Sequence, residues 1–324
     1  MNKGQFSIHS SAKRYFGTIT LNPSIDVGFM IHNLKIFSKN RIERSWQSIG
    51  GKGINVSLVL GILGHQALSF IISGRDESAF FKEVLEQHGV TPRIISINKS
   101  TRRNYKVIEK LSGKDTEFNE KGFSISPRML ARIKEEMKNL LPQCRYLALS
   151  GSLPPGVPPD FYKILIENAN QVGIVTALDT SGYELDRSIT AIPTILRINK
   201  EEFEEHTKIK LNNVNEISKK SKEICHKGIH WVVVSLGESG AVGTSGSGSW
   251  FVSLPKVPVK NTIGCGDAML AGLLSAYAKK IDLPDALLFS TAIATARVAK
   301  IQIADLDIEM ARSLQDRIIV KEIN

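Results

Sequence analysis

Short runs of β-branched and aliphatic residues alternate along the chain with stretches whose apolar positions return every three or four residues. Gly17–Leu21 (GTITL), Ala67–Ile72 (ALSFII), Tyr146–Ser150 (YLALS), Val175–Asp179 (VTALD), Ile195–Ile198 and Trp231–Ser235 (WVVVS) predict strands covered on both faces. Ser78–His88, Pro127–Leu141, Asp160–Gln171, Val214–Lys227 and Ala268–Lys279 have the period of amphipathic helices. Ile54–Leu63 is apolar nearly all round, as a helix seated in a sheet crevice would be. This rhythm predicts an α/β fold: a doubly wound, mostly parallel sheet with helices on both faces. Ligands of such sheets sit at the carboxyl ends of the strands, so the loops there are where chemistry is sought.

Two regions break the rhythm. Asp26–Ser48 and Thr91–Asn119 are extended, with no long helix, and alternate polar and apolar residues like an antiparallel sheet exposed on one face. They predict one small β-sheet built from two separate segments, a lid over the main sheet whose outer side pairs with a second copy. Thr244–Ser249 (TSGSGS) reads as a hairpin tip. Residues 1–14 read as a loose tail before a single domain over 15–324. The first 25 residues carry Lys3, Lys13 and Arg14 but neither an acid nor the apolar stretch of a secretory signal.

Composition narrows the classes. Of 324 residues, 42% are hydrophobic and 23% charged, the range of ordinary globular chains. No stretch is apolar for the length of a membrane-spanning helix. Three scattered cysteines, Cys144, Cys225 and Cys265, make neither a disulfide scaffold nor a zinc cage and point to a reducing, cytoplasmic setting. The net charge of +10 suits anionic ligands. The densest basic clusters, Lys99–Lys110 and Lys219–Lys222, lack an aromatic stacking array, so a nucleic-acid partner is not expected.

Gly264-Cys265-Gly266-Asp267 leads straight into the predicted helix at Ala268. Two glycines let backbone N–H groups converge at a helix N-terminus, an anion hole. Asp267 beside it could simply cap the helix, or could take the proton of a hydroxyl that attacks a phosphoryl group. Gly50-Gly51-Lys52-Gly53-Ile54-Asn55 also opens a helix; it has neither Walker A nor dinucleotide-fingerprint spacing, but allows close backbone approach and offers the Lys52 charge. The strand in Thr18–Asp26 ends at Asn22-Pro23 and delivers Asp26 into a loop. Ser150–Gly156 brings small hydroxyls to a strand end, Ser152 among them. Asn199 and Glu202 read first as a capping pair, and second as magnesium ligands through water. Ser235-Leu-Gly237-Glu-Ser-Gly240 follows a strand and could cover a nucleotide.

In this order, these segments resemble the PfkB (ribokinase-like) family of carbohydrate kinases, and most closely its phosphosugar branch, the 1-phosphofructokinases and tagatose-6-phosphate kinases. TLNPSID, GGKGIN, Thr101-Arg102-Arg103-Asn104, SGSLPPGVP, LDTSG, NKEE, SLGESG and TIGCGDAMLAG carry the likeness from about Gly17 to about Ala299. The resemblance implies transfer of the γ-phosphoryl group of ATP, with Mg2+, to a hydroxyl of a ketohexose monophosphate, and a homodimer through the lid. It implies Asp267 as base and Gly264, Cys265 and Gly266 as anion hole, with Gly266 also facing ATP. Asn199, Ser235, Gly237 and Gly240 fall at ATP-binding positions, and Asn199 and Glu202 near the metal. Asp26, Gly51 and Asn55 fall at sugar contacts; Lys39, Arg102 and Ser152 match positions holding the acceptor's phosphate, with Lys52 in the same pocket. A dianionic acceptor needs such cations; a free-sugar or nucleoside kinase would not. A sugar-phosphate sensor without catalysis is the remaining alternative. Arg197-Ile198-Asn199 stands where the family often has Lys-Pro-Asn, and Cys265 where it commonly has Ala.

Overall fold

A computed structural model describes residues 15–323; the tail expected over 1–14 lies outside the described residues. The chain opens with β1 (Tyr15–Thr20), β2 (Ser24–Ile31), β3 (Arg44–Gly50) and α1 (Lys52–Ile62). Next come β4 (Ala67–Gly74), α2 (Ser78–Gln87), β5 (Val90–Ile97), β6 (Arg102–Glu109) and β7 (Asp115–Asn119). The middle follows as α3 (Pro127–Leu140), β8 (Cys144–Ser150), α4 (Phe161–Gln171), β9 (Val175–Asp179), α5 (Gly182–Ser188), β10 (Ile195–Asn199) and α6 (Lys200–Thr207). The last third holds α7 (Val214–Cys225), β11 (Trp231–Ser235), β12 (Ala241–Ser245), β13 (Gly248–Val252), α8 (Cys265–Ala278), α9 (Leu283–Val298), α10 (Ile308–Gln315) and β14 (Val320–Glu322).

Ten strands form one sheet in the order β14-β13-β12-β11-β10-β9-β8-β1-β4-β5, parallel from β11 to β5 and antiparallel at the other edge. Its central strands are buried on both faces, which is why their sequences are continuous Val, Ile and Leu rather than alternating. One core packs α1, α2, α8, α9 and α10 on one face; the other packs α3, α4, α5, α6 and α7 on the opposite face. The β12–β13 hairpin turns where Thr244–Ser249 predicts it.

The small sheet has the order β3-β2-β6-β7. It differs from the expectation in two ways. The segment from Thr91 is not all part of it, because β5 pairs with β4 at the edge of the large sheet. An edge strand with one solvated face alternates just as a lid strand does, so pattern alone cannot separate them. The sheet is also not simply antiparallel: its centre, β2 against β6, is parallel. A helix unmarked by periodicity, α9, is capped by the Asp282 side chain, starts Leu-Pro, and is apolar on most faces because it lies under α8 and against the sheet.

Candidate active site

The parallel register brings the strand ends together. Ser150 on β8 stands beside Asp179 on β9, and Asn199 on β10 beside Ser235 on β11. The loops after these strands and the starts of α1 and α8 therefore share one cleft.

Asp267 occupies the first turn of α8 and is only 4% exposed. Gly264, at φ 79, precedes the helix without any side-chain cap; the Cys265 N–H donates to the Thr262 carbonyl at 3.3 Å, and the N–H groups of Gly266 and Asp267 are the ones available to an anion. Asp267 does not cap them; its Oδ2 accepts from Asn55 Nδ2 at 2.7 Å. Burial pushes its carboxyl up to about 6, reinforced by the negative charge of Asp179, while Lys52, the Asn55 amide and Arg197 pull the other way. That value is suited to a group that must lose and regain a proton near neutrality. A Cβ on Gly266 would overlap the Arg197 guanidinium, so only glycine lets the helix start approach this cation. The neighbouring Cys265 thiol is pushed up to about 11 by burial.

Asp179 is fully buried between two cations. Lys52 Nζ donates to Oδ1 at 2.7 Å and Arg197 Nη1 to Oδ2 at 2.9 Å. Burial alone would raise this carboxyl, but Lys52 and Arg197 outweigh it and hold it below its usual range. Arg197 reaches Ser235 Oγ at 2.7 Å with its other terminal nitrogen. Neither Asp179 nor Arg197 stands among the expected site residues; the acid that closes VTALD and the lone cation in the middle of ILRIN were the available signals.

The small sheet roofs a cavity of about 290 Å³ beside this cluster. Register sets Asp26 between Ser48 on β3 and Asn104 on β6. Asp26 Oδ1 accepts from Ser24 Oγ at 2.7 Å and Asn104 Nδ2 at 2.9 Å, while burial leaves its carboxyl raised overall. Arg102 lines the same cavity and donates to the carbonyls of Asn22 and Pro23 and to Asn104 Oδ1. Asn22 Nδ2 in turn donates to Ser152 Oγ at 3.2 Å. Lys106 of the roof reaches Asn261 Oδ1 of the floor at 3.0 Å.

The expected residues thus divide. Asp26, Asn55 and Arg102 line the cavity; Lys52 and Asp267 face Asp179 and Arg197 beside it, and Gly51 caps α1 at φ 127. Gly237 and Gly240 frame a single 3-10 turn after β11, at φ 60 and 117. Lys39 is apart: it is exposed on the connection between β2 and β3, outside the cavity lining. Asn199 and Glu202 form a reciprocal capping box, Glu202 N donating to Asn199 Oδ1 at 2.8 Å and Asn199 N to Glu202 Oε2 at 3.1 Å. Among the described residues Glu202 Oε1 has no hydrogen-bond partner, which fits a magnesium ion held through water better than a direct ligand cage. No cluster of three or more His, Cys, Asp or Glu residues suited to a metal occurs among the described residues. Nor is any described helix long and apolar enough to cross a membrane.

Known proteins share this architecture. Escherichia coli phosphofructokinase-2, solved in complex with substrates and products, superposes with a TM-score of 0.87 at 25% identity, over 94% of this chain and 99% of that one. Its tetrameric inhibited form gives 0.85 at 25% identity, with the same coverage. A structure described as a possible 1-phosphofructokinase from Thermotoga maritima gives 0.87 at 22% identity, over 96% and 100% of the two chains, a likeness of fold. The model of the pfkB family of carbohydrate kinases matches residues 25–308. With a buried carboxylate at an open helix start and two cations beside it, the chain belongs to that family and is a carbohydrate kinase.

Proposed function

We propose that this kinase transfers the γ-phosphoryl group of ATP to a hydroxyl of a ketohexose monophosphate, fructose 1-phosphate or tagatose 6-phosphate, to give a bisphosphate. The observation that carries the reading is Asp267 at the uncapped start of α8, with Arg197 against Gly266. The acceptor lies under the small sheet, its hydroxyls against Asp26, Gly51 and Asn55 and its phosphate toward Arg102, Ser152 and Lys52. Its reacting hydroxyl gives a proton to the Asp267 carboxylate. The hydroxyl oxygen bonds to the γ-phosphorus as the bond to the β-bridging oxygen breaks, and ADP leaves with that electron pair. The N–H groups of Gly266 and Asp267, with the Arg197 guanidinium, take up charge on the transferred group. Ser235, Gly237 and Gly240 cover the nucleotide. Magnesium, when bound with ATP, supplies charge neutralisation between the phosphoryl groups, and Asn199 and Glu202 would hold it through water.

The lid sheet is also the surface we assign to pairing with a second copy. Ile36, Phe37, Ile42, Leu111 and Phe118 are exposed there, and β3 and β7 are open edges. Sedimentation of the parent and of Phe118→Asp tests this; a parent monomeric at micromolar concentration refutes it.

An ADP-release assay over phosphosugars and free sugars tests the reaction. Turnover is expected with ketohexose monophosphates. Turnover confined to unphosphorylated acceptors overturns the branch, and calorimetric binding without any product marks a sensor.

A further inference from the structure

Arg297 is the one charged residue in the run Ala292–Val298 of α9, and it is 2% exposed. Burying a guanidinium costs several kcal/mol unless a counter-charge or full hydrogen bonding compensates it. Among the described residues no carboxylate lies within ion-pair distance. Nη1 donates to the Lys300 carbonyl at 2.7 Å and Nη2 to that of Ile301 at 3.5 Å. Nε is buried and has no partner among the described residues.

Its location decides what it awaits. Arg297 lines the cavity under the small sheet, and a Cβ placed on Gly264 would lie 3.7 Å from its Nε and 3.4 Å from Asn55 Nδ2. Asn55 is the residue that holds Asp267. The unspent Nε therefore lies close to Asn55 and to Gly264, the residue from which α8 starts. Two guanidiniums flank the helix start, Arg197 at Gly266 and Arg297 at Gly264. Arg102, the cation we assign to the acceptor's own phosphate, is instead tied to Asn22 and Pro23.

We propose that Arg297 is a catalytic residue of phosphoryl transfer, donating from Nε to an oxygen of the γ-phosphoryl group as it passes to the acceptor hydroxyl. The role rests on the kinase reading above and deepens it. The bonds made and broken are those already described; Arg297 keeps its proton throughout and stabilises charge that grows on the transferred oxygens.

The test compares the parent with Arg297→Gln and Arg297→Lys in steady-state kinetics, with thermal unfolding as the check on folding. Loss of one such donor lowers kcat by about 100-fold in Arg297→Gln, with both KM values within about threefold of the parent. Arg297→Lys recovers part of that loss. A folded Arg297→Gln enzyme with the parent's kcat overturns the proposal. So does a loss seen only as a raised acceptor KM, which would place the acceptor's own phosphate at Arg297. If neither variant shows a cooperative thermal transition, Arg297 is a strut for residues 300–301 and the proposal fails. A parent that transfers nothing from ATP to any sugar or phosphosugar fails the kinase reading itself, and this role with it.

Discussion

Asn55 Nδ2 donates to Asp267 Oδ2 at 2.7 Å, joining the first turn of α1 to the first turn of α8. One carboxylate oxygen is thereby fixed and the other left for the acceptor proton. Asn55→Ala should lower kcat by about 10-fold through misorientation, while Asp267→Asn lowers it by 10²- to 10⁴-fold, roughly the whole general-base contribution. Single-turnover rates with saturating ATP distinguish the two. Equal losses would show that Asn55 does more than orient.

The acid limb of kcat/KM reports the free enzyme's base, so activity should rise with pH through about 6 and level off above it. Stability runs the opposite way. The fold raises this carboxyl above its ordinary 3.8, so it favours the protonated form. The cost of ionised Asp267 is absent below about 4 and complete above about 6. Asp267→Asn should therefore melt higher than the parent at pH 8, with the gap closing by pH 4. Thermal scans across that range check it.

Asp179 should be the most fragile point of the cluster. Asp179→Asn takes from Lys52 and Arg197 the one carboxylate that bonds both, leaving Asp267 and Glu202 as their remaining counter-charges, a loss of up to about 3–5 kcal/mol. Lys52→Met leaves the Asp179–Arg197 pair intact and should cost markedly less. Urea unfolding of the two variants, compared at equal m-value, gives the difference.

The raised Cys265 thiol predicts a slow target despite its place at the start of α8. At about 11, two units above its ordinary value, it presents roughly 100-fold less thiolate at neutral pH than a free thiol. Iodoacetamide at pH 7.5 should leave most activity intact over times that fully modify a small thiol. Rapid inactivation would mean the site opens widely in solution.

Arg102→Ala should separate acceptors. KM should rise at least 10-fold for a ketohexose monophosphate, the loss of a charge-assisted contact, and change little for a free sugar. Equal effects on both would mean that Arg102 supports the roof through its bonds to the Asn22 and Pro23 carbonyls.

Much of the floor of this site could be read from the chain. WVVVS and VTALD are uniform enough to reveal strands, and GCGD before an apolar stretch reveals the start of α8. The roof was harder. The exposed face of β5 mimics a lid strand, and nothing local tells β2 that it will lie parallel to β6. Asp179 and Arg197 escaped because their meaning is their meeting, set by the register of β9 and β10. Lys39 shows the converse, since a motif position does not say where a loop will carry its side chain. Arg297 had a local signal, one cation within AIATARV, that only burial makes legible.

The parallel β2–β6 pairing has a consequence for how the molecule assembles. Asp26 and Asn104 are 78 positions apart, and the β4–α2–β5 unit lies between them. Closing that span is entropically costly until the intervening unit has compacted. The roof should therefore form late and fray first. In amide hydrogen exchange it should open at a free energy well below that of the strands beneath it, so the enzyme can admit and release its sugar without loosening its foundation.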